Sequence, residues 1–175
     1  MAPVAVTTCD LDRSIIKGRA PVVGPIALGH EFVAKVVEVG DAVTTVCPDE
    51  LVAVPAQISC GECHRCRAGD TAFCAALPPN SMFGLGATVG NWGGAFSDLV
   101  RIPFADHMLV KLPHGVLPET IAAASDNLTN AYEVVVPHLR QRQGASVIVA
   151  GVGATGLYTV QMAKAAGCGR LDYLD

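Results

Sequence analysis

Cys60, Cys63, Cys66 and Cys74 follow the spacing C-x2-C-x2-C-x7-C. A loop with four thiols at this spacing has few ways to fold. Thiolates two residues apart reach one ion from a tight turn, because the backbone between them curls around it. Four thiolates with no open position make a closed, tetrahedral structural zinc site. Gly61 and Gly69 loosen the turns. The segment is therefore expected to be a zinc-stapled lobe that holds shape and does no chemistry. An iron–sulfur electron-transfer site is the competing reading, but the C-x3-C-P ending of the bacterial ferredoxin spacing is absent. His64, inside the loop, reads as a solvated side chain. The chain has seven cysteines, an odd number. Residues 1–13 carry Asp10 and Asp12 and do not read as a signal peptide. Both points indicate a reducing compartment and a cytoplasmic location.

The rest of the composition narrows the class. Apolar types make up 51% of the 175 residues and charged types 16%, which excludes a disordered chain. The net charge is −4 and no basic run exists, so no nucleic-acid or membrane partner is expected. Residues 143–163 hold no charge, yet four glycines break them. Two short elements around a glycine turn fit better than a membrane span.

Ten of the eleven prolines lie in the first 118 residues. This predicts two architectural regimes, joined through residues 118–137. In the first, strands are expected over residues 31–39, 51–54, 96–102 and 108–112. Residues 82–94 hold five glycines and Trp92, and read as a long loop. Leu117-Pro118-Glu119-Thr120 starts a helix, with proline in its first turn. In the second regime a strand is expected over 145–150, a helix over 155–166 and a strand over 171–174.

Two further constellations carry chemistry. Gly29-His30-Glu31 opens a strong strand, and Cys9 stands upstream of it. Asp126 places an acid in the otherwise apolar run IAAASDNLTNAY. A charge there needs a partner or a metal. Cys9, His30 and Asp126 make three zinc ligands with a fourth position open, the pattern of a catalytic zinc. Downstream, VIVA runs into Gly151-Val152-Gly153-Ala154-Thr155-Gly156. This is G-x-G-x-x-G between a strand and a helix. Its glycines make the tight turn, let a pyrophosphate approach and let helix and strand pack closely. Asp175 ends the next strand, where an acid accepts the ribose hydroxyls, which favours NAD over NADP.

Taken in order, these motifs resemble the zinc-containing medium-chain alcohol dehydrogenase family, over essentially the whole chain. The resemblance implies a mixed fold. A partial, mostly-β GroES-like catalytic domain over residues 1–126 would precede the start of an α/β, doubly wound Rossmann domain over 127–175. Cys9 and His30 match the family's first two catalytic zinc ligands. Asp126 falls at the third, where some members use cysteine and a D-x-x-T branch uses aspartate. Glu31 matches the glutamate beside the metal, and Asp12 the acid that orients the zinc-bound histidine. Cys60, Cys63, Cys66 and Cys74 match the structural zinc lobe, and Gly151, Gly153 and Gly156 the cofactor turn. The implied activity is hydride transfer between an alcohol, aldehyde or ketone and NAD, with two zinc ions per chain. A small-molecule partner is implied, and a homo-oligomer for a full-length form. Leu11 departs from the family's Ser or Thr proton relay, leaving Ser14, Asp10 or water for that task. Members are roughly twice this long, so the chain is expected to be a fragment truncated at both ends and inactive alone. A non-catalytic zinc-binding module is the alternative within the family.

Overall fold

The computed structural model describes residues 1–151 and 153–174. The chain forms two compact units, which part between Ser125 and Asp126. The expected domain boundary placed Asp126 with the first.

The first unit is built on a four-stranded antiparallel sheet: β1 (Ala2–Thr7), β2 (Glu31–Lys35), β3 (Leu51–Val54) and β4 (Val110–Lys111), in that spatial order. β2 is central, and Glu31 through Ala34 are buried without alternation. Phe32, Val52 and Val54 lead the core cluster, and Phe32 meets Phe83 edge-on at 5.8 Å between ring centroids. Burying a phenylalanine of this kind stabilises the fold by about 1.5–3 kcal/mol. Trp92 packs against the same cluster.

β1 was not expected, and its sequence hides it. Pro3 cannot donate to a ladder, so it sits on this edge strand. A register shift between Pro3 and Ala5 breaks the alternation. A short helix, α1 (Asp10–Ile16), leads from β1 toward β2. Three expected strands need correction. The one over residues 31–39 ends at Lys35, after which the Val36 amide turns to the Glu50 carbonyl. No strand forms over 96–102. There the Phe96 amide donates to Leu28 and the Val100 amide to Met1, and the Ser97 hydroxyl donates to the Gly94 carbonyl, so no continuous ladder remains. Only Val110–Lys111 of residues 108–112 is strand. The residues before it form α3 (Ala105–Met108), where Asp106 accepts from the amides and hydroxyls of Thr44 and Thr45.

α2 (His64–Arg67) lies inside the cysteine loop. α4 (Pro118–Ile121) starts with Pro118 in its first turn, as expected, and a 3-10 turn over Ala122–Ser125 closes the unit. The two units part within residues 118–137, where the two regimes were expected to join, and Pro137 lies inside a helix.

The second unit opens with that helix, α5 (Asn127–Gln141). β5 (Val147–Ala150), α6 (Gly153–Ala165) and β6 (Leu171–Leu174) follow, and β5 and β6 pair in parallel. Val135, Val136 and Leu139 of α5 pack on Ala163 of α6. Among the described residues no helix is long and apolar enough to cross a membrane.

Candidate metal centres

The cysteine loop winds its four sulfurs into one cluster. Cys63 caps α2 and Cys66 lies within it, while Cys74 ends the 3-10 turn Thr71–Phe73. All four sulfurs lie within 4.8 Å of one another. Cys60 and Cys66 are 3.9 Å apart, and Cys63 and Cys74 4.0 Å. A tetrahedron with Zn–S of about 2.3 Å has edges of about 3.8 Å, so the donor set fits zinc. Backbone amides already favour thiolates here. The Cys66 amide first, and then Ala75, hold the Cys63 thiol down at about 6. The amides of Cys63 and Glu62 lower Cys60. Burial pushes the Cys66 thiol up to about 11. A central dication would deprotonate that last thiol outright. His64 is exposed and outside the cluster.

The second cluster is assembled from distant parts of the first unit. Cys9 stands at the N-cap of α1, and His30 immediately precedes β2. Their Sγ and Nε2 atoms are 3.3 Å apart. Asp12 sits behind the ring. Its Oδ2 accepts from the Cys9 amide at 2.8 Å, and its Oδ1 lies 3.5 Å from His30 Nδ1. A carboxylate on that side of the ring favours the tautomer that carries its proton on Nδ1, and Nε2 is the ring nitrogen on the Cys9 side. Sulfur and nitrogen donors on one tetrahedral zinc are about 3.6 Å apart, so this pair also fits a metal. Asp12, His30 and Glu31 are 1%, 0% and 0% exposed. Groups of that polarity at that depth need partners or an ion. The metal-competent group formed here is Cys9, Asp12 and His30.

Asp126, the expected third ligand, begins the second unit. It stands at the N-cap position of α5, and its carboxylate accepts from the Asn130 side-chain amide at 2.7 Å. In the same unit the glycine turn joins β5 to α6. Gly151 donates to Leu174, Gly153 takes φ +80°, and a Cβ on Gly156 would lie 3.0 Å from the Gly151 carbonyl oxygen and 3.3 Å from the Tyr173 ring. The third glycine is therefore the point where helix and strand come close, as a dinucleotide turn requires. Asp175, the expected ribose acid, lies outside the described residues.

Residues 2–114 match the alcohol dehydrogenase GroES-like domain. The chain belongs to the zinc-containing medium-chain alcohol dehydrogenase family. It is 35% identical over 167 residues to a probable zinc-binding alcohol dehydrogenase of Mycobacterium tuberculosis, covering 93% of this chain and 41% of that protein. Among solved structures it superposes on an alcohol dehydrogenase from Thermus sp. ATN1 with a TM-score of 0.89 at 32% identity, covering 99% of this chain and 49% of that one. An acetophenone reductase from Geotrichum candidum in complex with NAD gives 0.79 at 27% identity, with 99% and 49% covered. The chain thus spans less than half the length of each of these family members.

Sequence reasoning missed one residue that shapes this region. Ser125 takes the Phe32 amide on its hydroxyl at 3.2 Å and the Ala56 amide on its carbonyl at 3.3 Å. These bonds anchor the end of the first unit beside the strand that follows His30. The first spans 93 residues of sequence, and no local pattern announces it.

Proposed function

We propose that the protein carries the zinc-binding part of an oxidoreductase that moves hydride between a small alcohol, aldehyde or ketone and a nicotinamide dinucleotide. The observation that carries this reading is the Cys9–His30 pair at 3.3 Å with Asp12 on the far ring nitrogen. Zinc bound there supplies Lewis-acid polarisation of the substrate oxygen, and the dinucleotide supplies the redox step. Cys9, His30 and Asp126 are the proposed ligands of that ion. Asp12 keeps the imidazole in the donor tautomer, and Glu31 contributes a buried carboxylate next to the ligand His30. Cys60, Cys63, Cys66 and Cys74 hold a second, structural ion.

Gly151, Gly153 and Gly156 form the proposed dinucleotide turn, with NAD preferred over NADP on the strength of Asp175. Leu11 has no proton to relay, so Ser14, Asp10 or water takes that role. The family membership supports a small-molecule substrate; a homo-oligomeric full-length form and a cytoplasmic setting belong to the same proposal, and the net charge of −4 without a basic run speaks against a nucleic-acid or membrane partner. Elemental analysis of protein purified without added metal tests the two-site reading. About two zinc ions per chain are expected from the two donor sets. Cys63→Ser and His30→Ala should each lose a different one. One ion, lost only in Cys63→Ser, would reduce the chain to a structural zinc module. Gly153→Asp should abolish dinucleotide binding with both metals retained, measured by calorimetric titration.

A further inference from the structure

We infer that the glycine-rich loop of residues 84–94 positions His30, with Gly84 and Gly94 as the positioning residues. This rests on the reading of Cys9 and His30 as metal donors. The loop closes on itself through the Gly84 amide and the Gly93 carbonyl at 2.7 Å. From its far end the Ala95 amide donates to the Gly29 carbonyl and the Phe96 amide to the Leu28 carbonyl, each at 2.9 Å. The two carbonyls that precede His30 are therefore held by one segment. The backbones meet closely, with no room for side chains between them. A Cβ on Gly94 would collide with the carbonyl oxygens of Ala27 and Leu28. A Cβ on Gly84 would lie 2.8 Å from the Gly29 carbonyl oxygen. The obstructing atoms are main chain, so no rotamer change relieves them.

Gly29 itself takes φ +95°, and its own Cβ would meet Phe96 at 2.8 Å. The turn that delivers His30 is thus packed closely against Gly84, Gly94 and Phe96. Asp12 lies 3.5 Å behind Nδ1, and the loop holds the backbone from which the ring hangs. A shift of a few tenths of an ångström in residues 27–29 moves Nε2 against Cys9 Sγ. Gly40, by contrast, has nothing within 4 Å of a Cβ.

The test is metal binding by the whole chain, read by zinc content and by cobalt(II) titration. It compares the parent with Gly94→Ala, Gly84→Ala and Gly40→Ala. Gly94→Ala and Gly84→Ala should each lower affinity at the Cys9–His30 site by about 10- to 100-fold, the range seen when a supporting partner of a metal ligand is lost. The four-thiolate absorption of the cysteine lobe should persist in both, and Gly40→Ala should bind as the parent does. Parent-like affinity at both sites in the two variants overturns the inference alone. So does loss of both metals together, which would mark the loop as a general stability element. A parent chain that binds metal only at the lobe overturns the donor reading and the inference with it.

Discussion

The cysteine lobe and the Cys9–His30 cluster use similar donors and are built in opposite ways. The lobe draws all its sulfurs from residues 60–74, and three of the four are only partly buried. Closing so short a loop costs little chain entropy. The cluster joins residues 21 apart, with two of its three groups fully buried. It needs α1 to start, β2 to enter the sheet and the glycine loop to grip residues 27–29. The lobe is a site that a metal can fold. The cluster is a site that a fold must first provide.

Damage to the core should separate them most sharply. Phe32→Ala removes a fully buried ring that packs on Phe83. A stability loss of about 3–5 kcal/mol is expected, measured by urea unfolding. Under mild urea the cluster should lose cobalt while the lobe retains it, and simultaneous loss would erase the contrast. Next in size is Asp12→Asn, which keeps the shape and removes the charge behind His30 Nδ1. Metal affinity at the cluster should fall by about 10- to 100-fold in chelator competition, with the lobe unchanged.

The smallest effect concerns neither site. Four donors from Thr44 and Thr45, led by the Thr45 amide, hold the Asp106 carboxyl down at about 2, from an ordinary 3.8. Its stabilising contribution is complete above the ordinary value. It disappears as pH falls through about 2. Asp106→Asn should therefore flatten the acid limb of thermal stability between those values. At neutral pH both metals should remain bound.

The sequence disclosed these two regions unequally, and for the same physical reason. A thiol spacing is local, so the lobe could be read from residues 60–74 alone. The glycine turn after β5 is local too, and β5, β6 and the first turn of α4 were legible with it. His30 was visible as a motif, but its support was not. Ser125 and the glycine loop act through main-chain contacts across distant sequence, which no period or spacing encodes. α1 had a faint local signal: Asp12, three residues after Cys9, reaches back to the Cys9 amide as in a capping box, but cysteine replaces the usual serine or threonine. β1 was concealed by Pro3 and its bulge. The expected strand over 96–102 failed because its first amide, that of Phe96, serves Leu28 while Val100 turns to Met1, so no single partner strand runs along it.

The exposed face of β5–β6 bears on how this 175-residue chain behaves as a colloid. Its outward residues include Ile148 at 68% and Leu174 at 60% exposure. Parallel strands are ordinarily covered on both faces, and bare apolar edges template sticking. Concentrated solutions of this 175-residue chain should begin to scatter light through this face, and Ile148→Lys should delay that onset.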